Sequence, residues 1–179
     1  GASQPVVDRL VSRLIDRADF ALAVEVARHG AGTDILNLLV RMCARRGLWT
    51  EMMEAAKIRG KGEPYLSDEE LTLLIQAATR SGDIMLAVRA AGLRKSTNGR
   101  LLTDEVDALV KQLVEGLKLR EAIEAARLGA SRETVEMLVA RCVARGSPLA
   151  REAARLRNPD GTGSLTAEEE AMLAGARPP

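Results

Sequence analysis

The stretch Ser67-Asp68-Glu69-Glu70-Leu71-Thr72-Leu73-Leu74-Ile75-Gln76-Ala77-Ala78-Thr79-Arg80-Ser81-Gly82 decides the fold. Leu71, Leu74, Ile75 and Ala78 are spaced 0, 3, 4, 7, which puts four apolar side chains on one face of a helix. Ser67 and Glu70 fit a capping box at its start, with the hydroxyl as N-cap and the Glu at N3. Gly82 breaks the helix. Beyond it, Ala87, Ala90 and Ala91 mark a second helix whose small side chains let it lie close to the first. The unit is a helical hairpin.

The same apolar spacing occurs five times. It falls on Val7, Leu10, Val11 and Leu14, on Leu36, Leu39, Val40 and Cys43, and on the stretch above. It returns on Val106, Leu109, Val110 and Leu113, then on Val135, Leu138, Val139 and Cys142. Successive sets are 29, 35, 35 and 29 residues apart. Each is followed by an Ala-rich segment: Ala23 and Ala27, Ala55 and Ala56, Ala122 with Ala125 and Ala126, Ala150 with Ala153 and Ala154. Gly47, Gly82 and Gly146 stand at breaks inside the hairpins, while Gly60 to Pro64, Asn98-Gly99 and Asn158 to Gly163 separate them. Thr33-Asp34 and Thr103-Asp104-Glu105 place a capping hydroxyl and an acid at further helix starts, and a sixth helix begins near Glu168 with a Thr166–Glu169 capping box.

Shifting the chain by 99 residues aligns 7–47 with 106–146, and 16 of those 41 positions are identical. Residues 5–105 therefore read as a three-hairpin unit and 106–179 as a second, truncated copy. The expected fold is all-α: a right-handed α-solenoid of about five helix-turn-helix repeats plus a partial sixth, with first helices lining one face.

Composition agrees with helix. Aromatic residues are only 2% (Phe20, Trp49 and Tyr65), and Ala, Leu and Arg are abundant. The net charge of +1 provides no global attraction for a polyanion, although 21 of the 26 basic residues are Arg. No apolar run reaches the roughly 20 residues a bilayer-spanning helix needs, so no membrane insertion is expected. The opening Gly1-Ala2-Ser3 leaves the compartment open. Cys43 and Cys142 sit within helical apolar patterns and read as buried small hydrophobes, in keeping with a soluble protein of a reducing compartment.

The run Leu74 to Ala87, and Leu39-Val40-Arg41-Met42-Cys43-Ala44-Arg45-Arg46-Gly47, resemble a pentatricopeptide repeat, whose period is 35 residues; the tetratricopeptide class is similar. The resemblance covers about residues 5–157. It implies stacked hairpins and, for pentatricopeptide proteins, single-stranded RNA read at about one base per repeat. The family's base-reading position, two before the Leu-Ile pair, is held here by Asp8, Asn37, Thr72, Asp107 and Glu136. Its partner position, usually Asn or Asp, is held by Gly32, Ser67, Leu102 and Ser131. Where the family places an apolar residue that packs between bases, this chain has Asp34, Glu69, Asp104, Glu133 and Glu168. A row of carboxylates repels a phosphate backbone, and no aromatic platform offsets it. The same acids also favour the positive ends of their helices.

The expected binding groove pairs each reader position with the residue one turn on: Asn37 with Arg41, Thr72 with Gln76, Asp107 with Lys111, and Glu136 with Ala140. Its mixed charge suits a protein or peptide, with RNA disfavoured by the acidic ladder. Residues 158–169 follow EF-hand spacing, with Asn158, Asp160, Thr162, Thr166 and Glu169 at oxygen-donor positions and Gly163 at the turn. Asn in place of Asp at the first position weakens that pattern, and a Gly-rich turn followed by a capping box is the preferred reading. His29 is the sole histidine and lies beside Gly30, so no catalytic constellation is assembled and no cofactor is implied. The expectation is a non-catalytic interaction scaffold or assembly subunit.

Overall fold

In a computed structural model, residues 3–62 and 65–175 are described; Gly1 and Ala2 of the opening segment and Pro64 of the Gly60–Pro64 break fall outside them. About 70% of the chain is helical, and no strand occurs among the described residues. The helices are α1 (Gln4–Asp16), α2 (Phe20–Ala27), α3 (Thr33–Arg46), α4 (Trp49–Arg59), α5 (Asp68–Ser81) and α6 (Ile84–Leu93). They continue as α7 (Thr103–Glu115), α8 (Leu119–Ala126), α9 (Arg132–Ala144), α10 (Ala150–Ala154), a 3-10 turn (Arg155–Arg157) and α11 (Ala167–Leu173). Contacts divide the chain into two units, Gly1–Ala78 with Met85–Arg100 and Thr79–Ile84 with Leu101–Pro179.

In the first unit α1 packs on α2 and α3 on α4, and the second pair lies against the first through α1–α3 and α2–α4 contacts. In the second unit α7 packs on α8 and α9 on α10, α9 also touching α7, α8 and α11. The small residues of the second helices make the close approach. Ala23, Ala27, Ala55, Ala56, Ala87, Ala90, Ala122, Ala125, Ala150, Ala153 and Ala154 have no exposed surface. Cys43 and Cys142 are fully buried and free. Burial pushes the Cys43 thiol up to about 12, helped by the Glu51 carboxylate, and raises Cys142 as well. Both thiols therefore stay protonated and poorly reactive.

One recurrent feature has no sequence signal at two of its five positions. Ala18, Gly47, Gly82, Leu117 and Gly146 all have positive φ, between 58° and 73°, and sit at the turn inside successive hairpins. They are spaced by the same 29, 35, 35 and 29 residues as the apolar sets. Gly adopts this left-handed conformation freely, whereas a residue with a Cβ meets steric strain there. Gly is the sequence cue for such a break, so the turns at Ala18 and Leu117 carry none.

Two expectations shift. Thr33 and Thr103 are not caps: the N-cap residues are Gly32 and Leu102, neither of which has a side-chain acceptor. Leu10, expected in the apolar face of α1, is 44% exposed, while its counterparts Leu39, Leu74, Leu109 and Leu138 are fully buried.

Candidate functional site

The reader positions lie half-buried on the first helices, and every one of them is already engaged. At the 29-residue steps the link from one hairpin to the next is short. There Asp8 accepts the Gly32 backbone N–H at 2.8 Å, and Asp107 accepts that of Ser131 at 2.8 Å. Gly32 and Ser131 are the N-caps of α3 and α9. A carboxylate on one first helix thus fixes the start of the next.

At the longer steps an arginine performs that task. Arg59, the last residue of α4, donates to Asn37 Oδ1 at 3.0 Å, to both Glu70 oxygens at 2.6 and 2.9 Å, and to the Tyr65 carbonyl. Glu70 closes the capping box of α5: it accepts the Ser67 N–H at 2.9 Å, and the Ser67 hydroxyl accepts the Glu70 N–H at 3.2 Å. Arg157 repeats the arrangement. It donates to Glu136 Oε2 at 3.0 and 2.7 Å, to the two Glu169 oxygens at 2.9 and 2.6 Å, and to the Ser164 carbonyl at 2.8 Å. Arg94, which is 3% exposed, donates to Thr72 Oγ1 at 3.4 Å and to the Arg100 carbonyl at 3.3 Å. Thr72 in turn donates to the Asp68 carbonyl at 2.8 Å.

The contacts of Arg59 and Arg157 are charge-assisted forks of the kind only a guanidinium makes. Glu70 is pushed up by burial, but Arg59 and the Ser67 N–H more than reverse this and hold it below the usual carboxylate range. The hydrogen bonds from Arg157, opposed by burial and aided by the Thr166 N–H, lower Glu169 to about 2. Arg59 and Arg157 are raised, above all by their hydrogen bonds to Glu70 and Glu169.

The residues one turn on from the readers behave differently. Arg41, Gln76, Lys111 and Ala140 are exposed, and Arg41 meets the still more exposed Glu69 at 3.4 Å. Arg41, Arg45, Asp68, Glu69, Thr72 and Leu73 line an open cleft of about 460 Å³. The ladder acids Asp34, Glu69, Asp104, Glu133 and Glu168 are all exposed. The Gly32, Ser67, Leu102 and Ser131 positions sit at helix starts, with their backbone N–H groups bonded to Asp8, Glu70, Glu105 and Asp107.

The 158–169 segment forms a turn and a capping box. Asp160 Oδ1 accepts the Thr162 N–H at 3.0 Å and its hydroxyl at 2.6 Å, and Asn158 Nδ2 donates to Thr162 Oγ1 at 3.1 Å. Both Glu169 oxygens face Arg157 instead, and Thr166 caps α11. No cluster of three or more metal-ligating side chains occurs among the described residues. His29 is exposed, in the turn that follows α2.

Sequence reasoning missed the arginines. Their signal is faint but real: Arg59 and Arg94 stand eleven residues before Glu70 and Glu105, and Arg157 stands twelve before Glu169. No known protein family, curated protein or solved structure matches the chain.

Proposed function

We propose that the chain is a non-catalytic protein-interaction scaffold or assembly subunit. In this reading its hairpins continue one another as a right-handed α-solenoid akin to pentatricopeptide and tetratricopeptide arrays. The observation that carries the functional reading is the division of labour on the first helices. The half-buried reader residues are bonded to backbone or arginine, so they are not free to pair with bases. Exposed carboxylates stand in the first turns of the same helices, and they repel a polyanion. What remains accessible is a mixed surface of Arg41, Gln76, Lys111 and acids, suited to a peptide or protein of complementary charge. No helix among the described residues is long and apolar enough to cross a membrane.

The test pairs affinity capture from a cell extract with a filter-binding assay on single-stranded RNA. Protein partners should be retained and lost on Arg41→Glu with Lys111→Glu, a change expected to alter stability by under about 0.5 kcal/mol because both side chains are exposed. RNA should bind only at the non-specific level, with Kd of about 10⁻⁴ to 10⁻⁶ M, and fade with salt. Sequence-selective RNA binding in the nanomolar range would overturn the proposal.

A further inference from the structure

In the second unit an arginine stands at each end of the short link from α8 to α9. Arg127 is the C-cap of α8, and Arg132 is the first residue of α9. Both line one open cavity of about 470 Å³, a volume within the range of small-molecule sites. Leu156, Asn158 and Pro159 line it as well, and Val135 gives it a buried apolar floor. Among the described residues that line this cavity none is Asp or Glu. The cleft on the first helices differs, because Asp68 and Glu69 share it with two arginines.

Three arginines reach the cavity, and their commitments are unequal. Arg157 donates all of its N–H groups to Glu136, Glu169 and the Ser164 carbonyl, so it has none to offer. Glu136 lines the neighbouring pocket and is neutralised there by the same guanidinium. Arg127 meets Glu152 at 2.6 Å through Nη2 alone. That pair is 52% and 41% exposed, so water competes for it, and Nε and Nη1 of Arg127 are uncommitted. Arg132 is exposed and makes no ion pair or side-chain hydrogen bond among the described residues.

Arg132 also breaks a local rule. A cation in the first turn of a helix is opposed by the positive end of the helix dipole, and no bond within the fold compensates this one. Nor does the joint need it, since Asp107 and Ser131 already fix the start of α9. Shifting by 99 residues places Arg28 at Arg127 but Thr33 at Arg132. In the first copy, moreover, Arg28 is paired with both Glu25 and Glu54. The second, unpaired cation belongs to the second copy alone. A residue that costs the fold something and supports nothing in it points to a ligand.

We propose that this cavity binds a small phosphate monoester with an apolar body. The forks of Arg127 and Arg132 donate to separate oxygens of the phosphoryl group, which has three to share where a carboxylate has two. Val135, Leu156 and Pro159 cover the body. The site shares no residue with the first-helix groove and does not rest on the scaffold reading.

The experiment titrates the full chain with phenyl phosphate, inorganic phosphate and phenol by calorimetry, and amide NMR shifts locate the binding. Phenyl phosphate should bind about tenfold or more tightly than either fragment, with shifts clustered at residues 126–135 and 156–161. Arg132→Thr, which installs the first copy's residue, should weaken it by about tenfold or more, and so should Arg127→Gln. Arg28→Gln and Arg41→Glu should leave it unchanged. Circular dichroism of each variant confirms that the fold is kept. Four results would each overturn the site: phenyl phosphate binding no better than phenol or inorganic phosphate, shifts centred elsewhere, affinity indifferent to Arg132→Thr, or a phosphoserine peptide that binds more tightly than phenyl phosphate.

Discussion

The junction between α2 and α3 and the junction between α4 and α5 do the same job with different chemistry. The first is short, and one carboxylate, Asp8, reaches the backbone N–H of Gly32 directly. The second is longer, and Arg59 spans the gap between Asn37, Glu70 and the Tyr65 carbonyl. The second unit holds the same pair: Asp107 on Ser131 at its short junction, Arg157 on Glu136 and Glu169 at its long one. The residue at the reader position follows the length of the link. It is Asp where the next helix is within reach, and Asn, Thr or Glu where an arginine intervenes. The residues that depart from a base-reading code are members of a set of struts.

The comparison breaks most visibly if the arginines prove dispensable. Arg59→Ala leaves the Glu70 carboxylate, 4% exposed, without its counter-ion, and such a loss costs about 3–5 kcal/mol. Urea denaturation should show it, with much of the loss restored by adding Glu70→Gln. A decrease under about 1 kcal/mol would mean that the fork is ornamental. Acid sharpens the same point. Glu169 is lowered to about 2 in the fold, below its unfolded value, so its contribution is complete above about pH 4.5 and disappears as pH falls towards 2. Allowing for solvent screening, it is on the order of 1–2 kcal/mol. Glu70 is shifted in the same direction. Denaturation midpoints measured across that window should depend less on pH in Glu169→Gln.

At the short junctions the expected losses are smaller. Asp8→Ala and Asp107→Ala should each cost about 1 kcal/mol, the value of one charge-assisted bond to a helix-start N–H, and the two should be alike. Unequal values in chemical denaturation would show that the units do not share their joint. Smallest, and opposite in sign, is Leu117→Gly. The side chain is 56% exposed and its φ is 62°, so removing it relieves strain with little lost packing. Thermal unfolding should report a gain of roughly 0.5–1 kcal/mol.

Most of the helix faces can be read from the sequence because burial imposes a period that apolar residues must follow. Leu39, Leu74, Leu109 and Leu138 are buried where the spacing puts them. Leu10 carries the same letter in the same phase, yet it is exposed. Periodicity states which side of a helix is apolar, not whether a neighbour covers it. The turns at Ala18 and Leu117 are hidden because a left-handed residue need not be Gly when the surrounding hairpin enforces it. The struts are hidden for a different reason: one side chain bonds residues 22 positions before it and 11 after it, as Arg59 does, and no local pattern encodes that.

The forked anchor also makes the long links indifferent to length. From Arg59 to the carbonyl it holds, at Tyr65, is six residues; from Arg157 to Ser164 is seven, and the contacts at both ends are the same. In the second link the slack lies between Asn158 and Thr162. Just beyond it the chain is pinned at Gly163, which passes so close to the Ala154 carbonyl that a Cβ there would collide with it. A peptide tag or small folded insert placed at Pro159–Gly161 should therefore leave the spacing of the hairpins unchanged. The same insert at residues 28–31 would pull Gly32 out of reach of Asp8. The long links are the natural places for this chain to acquire or lose sequence, and the short ones are where its length is held.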